Sequence, residues 1–314
     1  AGHRRSGAGS GPVSPKWALG VALGCALALS ASGASAYCRM TTADGAQVGD
    51  TLCSEKGVPL EWDTTCLTYA VDADGSRWMS FAQTEAAVDQ GFFAWTEVQC
   101  QGGLTDLRFQ PLAASTCKKA EYNDRGGNVN TVAFLDPWVD PDDGSALPRQ
   151  ALAITVVWHN ETTGQILDAD MLINDTRRLC PPEETSCGGF DVQSIVTHES
   201  GHFLGIGHSE FEQATMYFMS PPEGDVSMRS LWDDDIDALC AIYPSGSAEP
   251  LCAQSDFVPN GGIELNCELE DTGGGGGCSI AGPQAARSRW LFTLLALFGL
   301  TVFRRRRSRR GARP

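Results

Sequence analysis

The chain has 314 residues, of which 42% are hydrophobic and 20% charged, with a formal net charge of −16; it can bury a sizeable core and is not a disordered polymer. The charge is unevenly spread, because residues 1–36 and 278–314 contain no acid, while residues 37–277 set 39 acids against 11 bases, a net of −28. So acidic a body argues against nucleic acid and anionic lipid as its partners and favours solubility and cationic ligands.

Residues 1–36 read as an export signal: Arg4, Arg5 and Lys16 precede the apolar run Trp17 to Leu29, and Ala34-Ser35-Ala36 forms a small-residue cleavage site. The run is shorter than the ~20 residues a membrane span needs. The mature chain would begin near Tyr37, with residues 37–56 as a cysteine-containing N-terminal extension. Ten cysteines lie between Tyr37 and Gly277. This even count behind an export signal predicts up to five disulfides. Cys180 and Cys187 bracket a short Pro-Pro loop and are the pair to expect; the other partners stay open.

The first strand is expected at Cys66 to Val71, closed by the turn Asp72-Ala-Asp-Gly75. From Ser80 to Val98 the apolar residues Phe81, Ala82, Ala87, Val88, Phe92, Phe93 and Trp95 recur at helical spacing and predict a long amphipathic helix. Strands follow at Leu107 to Leu112, Val129 to Phe134, Ala151 to Trp158 and Ile166 to Asn174, the last two joined as a hairpin through Asn160 to Gly164. A second helix begins at Asp191, a good N-cap residue. A third, around Leu231 to Ile242, has Asp233, Asp234 and Asp235 at its start, where the helix dipole favours acids. Strands mixed with three helices make an α+β or α/β domain over residues 57–244. Residues 245–277 read as a linker, Gly-rich at its end, with Cys252 and Cys267 as candidates to close a loop within it. Residues 278–314 are a tail.

The chemistry is concentrated in His198-Glu199-Ser200-Gly201-His202-Phe203-Leu204-Gly205-Ile206-Gly207-His208. Positions i and i+4 share a helix face, so His198 and His202 can present two imidazoles to one ion. Glu199 is about a third of a turn away and can reach a water on that ion. Gly205 lets the chain leave the helix in a conformation closed to other residues, bringing His208 round as a third ligand. Three protein ligands leave the fourth position of a zinc ion to water, the arrangement of a catalytic site. Glu199 is then the general base and acid of a hydrolysis. Three of the chain's five histidines fall in this run, whereas His159, the other one in the mature chain, reads as structural or surface.

At these residues the chain resembles the metzincins, and within them the matrixin branch, over about Pro59 to Pro244. Ser209 directly after the third histidine is the matrixin choice, and Ala214-Thr215-Met216-Tyr217 resembles the Met-turn that packs beneath the metal. The resemblance implies a metzincin-like α+β catalytic domain: a mixed twisted sheet with three main helices, Zn2+ held by His198, His202 and His208, and Glu199 as catalytic residue. It further implies an endopeptidase acting on protein or peptide substrates, the strand at Ala151 to Trp158 pairing with the extended substrate and the loop Tyr217 to Pro222 shaping the S1′ pocket. A monomer is expected. The chain departs from the branch in having too few histidines for a second, structural zinc. It also lacks a cysteine-switch pro-domain between the expected cleavage site and the domain.

The loop Asp136 to Gly144, with Asp136, Asp140, Asp142 and Asp143, and the pair Asp168 and Asp170 offer oxygen ligands suited to Ca2+. Neither matches an EF-hand loop, and an acidic solvated loop is the competing reading. The run Gly273 to Gly277, Cys278-Ser-Ile-Ala-Gly282, the apolar stretch Trp290 to Phe303 and the cluster Arg304 to Arg307 together resemble the C-terminal sorting signals known as MYXO-CTERM. That resemblance implies processing near Cys278 and attachment or release at the cell surface; a weak membrane tail is the alternative, and both imply export, with the body at the cell surface, the outer membrane or outside the cell. The alternative to an enzyme is a surface binding module that keeps the fold without turnover, against which an intact Glu199 speaks.

Overall fold

The computed structural model describes residues 37–43, 53, 56–184, 186–246 and 252–267; the expected export signal and the sorting tail lie outside the described residues. Within them no helix is long and apolar enough to cross a membrane.

Strand β1 (Cys66–Val71) is buried along its whole length. Helix α1 (Phe81–Phe93) starts at Ser80, whose hydroxyl accepts the amide of Gln83 while the Gln83 side chain accepts the amide of Ser80. The periodicity predicted a helix to Val98, but α1 stops five residues earlier. There the amides of Trp95 and Thr96 turn back to the carbonyls of Phe92 and Phe93, and the Trp95 indole donates to the carbonyl of Thr197 at 2.9 Å. A long-range contact thus overrides the local pattern. The short ribbon β2 (Gln99–Cys100) and β3 (Gly103–Leu104) follows, then β4 (Arg108–Pro111), β5 (Thr131–Leu135), β6 (Ala153–His159) and β7 (Ile166–Asn174). Next come the short parallel pair β8 (Leu179–Cys180) and β9 (Phe190–Asp191), helix α2 (Val192–Phe203) and helix α3 (Asp233–Ile242).

The five long strands form one sheet in the order β4-β1-β5-β7-β6. All neighbours are parallel except the β6–β7 hairpin. This is the α+β arrangement of mixed sheet and three helices expected above. Strand β6 lies at an edge and is paired on one side only. Helices α1 and α2 cover one face of the sheet through an aromatic cluster: Tyr69 stacks on Phe92 at 4.0 Å, and Phe92 meets Phe109 and Phe203 edge-on. Phe203, at the end of α2, is 1% exposed. Its carbonyl accepts the Trp62 indole, and the next carbonyl, of Leu204, accepts the hydroxyl of Tyr243. The C-terminal end of the histidine-bearing helix is therefore held from two directions.

Five disulfides close the domain: Cys38–Cys53, Cys66–Cys252, Cys100–Cys240, Cys117–Cys267 and Cys180–Cys187. The pair expected from its short loop is formed. The candidate pairing of Cys252 with Cys267 is corrected, because Cys252 bonds Cys66 in β1 and Cys267 bonds Cys117 in the loop after β4. Between them the chain runs along the domain: Asn128 donates through Nδ2 to the carbonyl of Asn260, Asn260 donates to the carbonyl of Leu167, and Thr116 donates its amide to Leu265. Local spacing could not show this, since the partners are 186 and 150 residues apart.

Candidate metal centre

Helix α2 begins at Asp191, whose carboxylate accepts the amide of Ser194 at 2.7 Å and is gripped by the guanidinium of Arg229. From this fixed start, His198, Glu199 and His202 fall on the cavity-facing side of the helix. At its end Gly205 takes φ +85°, a conformation open to glycine, and a Cβ there would come within 2.4 Å of the Leu60 carbonyl. The turn is further held by the N-terminal segment: Met40 donates its amide to Gly205, and Gly207 donates to Cys38. The result carries His208 back to the other two histidines.

One ligating nitrogen from each of His198, His202 and His208 lies within 4.8 Å of the others, and among the described residues this is the one group of three or more potential metal ligands. His202 Nε2 and His208 Nε2 are 3.2 Å apart. Two nitrogens on a tetrahedral ion with Zn–N of ~2.0–2.1 Å would be about 3.3–3.4 Å apart, so the donor set fits zinc. The outer ring nitrogens are engaged: His198 Nδ1 bonds the carbonyl of Thr215 at 2.6 Å and His202 Nδ1 that of Ile206 at 2.9 Å. A carbonyl only accepts, so in both rings Nδ1 carries the proton and Nε2 has a free lone pair. Burial depresses the basicity of His202 and brings the His208 pKa down to about 3, neighbouring imidazoles adding to both. Neutral rings of this kind are what a metal requires.

Glu199 is buried beside them. Burial pushes its carboxyl above the usual range, with the His198 imidazole and the Thr155 hydroxyl pulling the other way. That hydroxyl, on the edge strand β6, donates to Glu199 Oε2 at 2.7 Å. Under the histidines, Met216 is 1% exposed, and its Sδ would be 2.1 Å from a Cβ placed on Gly201. Only glycine at 201 lets the thioether lie against the helix. Asp235 holds this turn from α3: its carboxylate accepts the amides of Thr215, Met216 and Trp232 at 2.7–3.0 Å. The Asp235 carboxylate, the Thr215 carbonyl and His198 thus form one continuous chain of hydrogen bonds and backbone. Sequence reasoning placed Asp233 to Asp235 as dipole partners and missed this role of Asp235, as it missed Thr155.

The three histidines and Glu199 open into a cavity lined also by Ala153, Thr155 and the loop Tyr217 to Pro221. The acids singled out for calcium lie elsewhere. Asp136 pairs with Arg77 and Asp142 with Lys119. Asp170 accepts backbone amides from Thr131 and Glu121. Asp168 is fully buried beside Asp170, and burial, then the charge of Asp170 and a hydrogen bond with it, push its pKa well up. His159, at the end of β6, is half-buried, and burial lowers its basicity.

Comparison with known proteins agrees with this geometry. Residues 139–244 match the family model described as Matrixin. That segment is matrixin-like. It contains β6, β7, α2, the Met216 turn and α3, and so all four residues of the centre. The chain is 26% identical over 202 residues to Matrix metalloproteinase-C of Caenorhabditis elegans, covering 63% of this chain and 31% of that protein. It is 43% identical over 54 residues to Metalloendoproteinase 1 of Glycine max, 17% of each chain, and 30% identical over 96 residues to Stromelysin-1 of Mus musculus, 31% of this chain and 19% of the other. The matches span about a third or less of these relatives' lengths. The mixed sheet with three helices around the matrixin-like segment is consistent with a metzincin catalytic domain.

Proposed function

We propose that this chain is a zinc-dependent endopeptidase in which His198, His202 and His208 hold the metal and Glu199 is the general base and acid. The observation that carries the reading is the convergence of three imidazoles with a buried carboxylate in one open cavity. Zinc, when bound, polarises a carbonyl and lowers the pKa of water toward ~7. The protein's own part is to orient and to move protons. Glu199, with Oε2 held by Thr155, takes the proton of the attacking water and passes it to the departing amine. The unpaired side of β6 offers an extended peptide a row of backbone groups, a sequence-tolerant way to hold substrate across the cavity. The relatives' printed names, among them metalloendoproteinase and matrix metalloproteinase, support protein or peptide as substrate class.

Export and surface attachment belong to the same proposal. They rest on the apolar run and cleavage site in residues 1–36 and the sorting-like residues 278–314, and five disulfides suit an oxidising compartment. Calcium is a second candidate cofactor, with the Asp136 to Gly144 loop and the Asp168–Asp170 pair as its oxygen donors. A calcium-dependent rise in Tm that Asp168→Asn lacks is its test. For the main reading, metal analysis of wild type against His202→Ala, alongside cleavage of a peptide library with and without chelator, decides. Equal zinc in both proteins, or cleavage indifferent to the chelator, contradicts it.

A further inference from the structure

The turn that returns His208 is clamped from outside the cavity by the N-terminal segment of the same chain. Residues 38–42 form a strap between this turn and residues 58–61. On one side Met40 donates its amide to the Gly205 carbonyl and Gly207 donates to the Cys38 carbonyl, at 2.9 and 2.8 Å, so that Arg39 faces Ile206 in an antiparallel bridge. On the other side Leu60 donates to Met40, Thr42 donates to Val58, and the Arg39 guanidinium reaches the Leu60 carbonyl and Glu61.

Ile206, the residue the strap straddles, serves two of the three histidines. Its carbonyl accepts His202 Nδ1 at 2.9 Å, and His208 follows two residues later. An outer partner of this kind orients the imidazole and sets which nitrogen is left for a metal.

The end of the strap beside Gly207 is tied by the Cys38–Cys53 disulfide. Cys38 is 6% exposed, and a Cβ placed on Gly207 would come within 3.1 Å of its own Cβ. Cys53 is exposed, whereas the other nine disulfide cysteines are buried or half-buried. Thiol–disulfide exchange depends on access to the sulfur attacked, so this bridge is the one open to a reductant from solvent.

We infer that the Cys38–Cys53 bridge is a redox site for a dithiol reductant, and that opening it releases the strap and weakens the metal centre. A thiolate of the reductant bonds to Cys53 Sγ, and Cys38 leaves as a thiolate that takes up a proton. The second thiol of the reductant then displaces Cys53, which leaves as a thiol. Two electrons have passed from the reductant, now a disulfide, to the bridge, now two thiols. Cys38 is then free to move, the Gly207 amide loses its acceptor, and Ile206 no longer holds His202 and His208 in place. The bonds of Met40, Thr42 and Arg39 to residues 58–61 remain, so the strap can return on reoxidation. The inference rests on the three-histidine zinc reading above and adds a control that acts from outside the cavity.

The test treats the full chain with limiting dithiothreitol, desalts it under argon and reloads it with zinc. Zinc affinity is read by competition with a chromophoric chelator, and alkylation of a portion with peptide mass mapping shows which bridge has opened. Cys38–Cys53 should open first, and zinc affinity should fall at least about tenfold, the usual effect of losing an outer partner of a metal-binding histidine. The Gly207 amide should exchange faster with solvent, while that of Asn128, which bonds Gly262 in the C-terminal segment, keeps its protection. Oxidised glutathione should restore the affinity. The double variant Cys38→Ala, Cys53→Ala should bind zinc weakly from the start and ignore the reductant; if it does not fold, the wild-type comparison decides alone. A different bridge opening first, or zinc held as tightly with Cys38–Cys53 open, overturns the switch and leaves the zinc reading intact. No zinc on the oxidised wild type overturns both.

Discussion

The Thr155 hydroxyl donates to Glu199 Oε2 at 2.7 Å although the two residues are 44 positions apart and sit on different elements. The strand proposed to hold the substrate therefore also holds the proposed base, fixing one carboxylate oxygen and leaving the other for the proposed proton transfer.

Thr155→Val keeps the shape and removes the donor. A hydrogen bond to a charged group contributes ~1.5–3 kcal/mol, so kcat should fall at least about tenfold, with KM and zinc content close to wild type. Thr155→Ser should restore most of the rate. A valine variant as fast as wild type would remove Thr155 from the account.

Gly205→Ala places a methyl group on a residue at φ +85°, 2.4 Å from the Leu60 carbonyl. Backbone strain of this kind costs ~1–3 kcal/mol, before the clash is counted. The variant should melt at lower temperature and lose zinc, because the turn that returns His208 must shift. Undiminished zinc content by metal analysis would show that the turn does not set the third ligand.

The histidine run, the Gly205 turn and the N-cap at Asp191 were legible in sequence because each depends on spacing within one helix or its end. The long strands and the hairpin were legible as short apolar runs bounded by turn residues. Thr155 and Asp235 were not. Thr155 reaches Glu199 across the sheet–helix interface, and Asp235 reaches the Met216 turn from another helix, 19 residues on. The Cys252 and Cys267 pairings failed likewise, their partners being set by how the C-terminal segment wraps the domain.

Acid should weaken the zinc-free protein through its buried imidazoles. With the His208 pKa brought down to about 3 and His202 also lowered, the unfolded chain binds protons that the folded chain refuses between about pH 6.5 and pH 3. Stability is thus full above pH 6.5 and lost as pH falls through that window. Urea midpoints at pH 7 and pH 4.5, compared between wild type and His208→Phe, check the sign, the histidine protein losing more on acidification.

Asp168 should act in the opposite sense. Its pKa is raised by burial, so the folded state keeps a proton the unfolded chain releases, and stability falls as pH rises above about 4. In calcium-free buffer Asp168→Asn should raise Tm more at pH 8 than at pH 4. A variant that is no more stable at pH 8 would mean that the ionised carboxylate has found a partner.

The central claim is that Glu199 performs the proton transfers of a hydrolysis without holding the metal. The most direct measurement is hydrolysis of a broad peptide mixture by wild type and Glu199→Ala, each with its zinc content determined on the same sample. Equal zinc with a rate lower by ~10²- to 10⁴-fold in the variant, the usual worth of general acid–base help, is the predicted result; equal cleavage by the two proteins, or cleavage by neither with zinc bound, would contradict it.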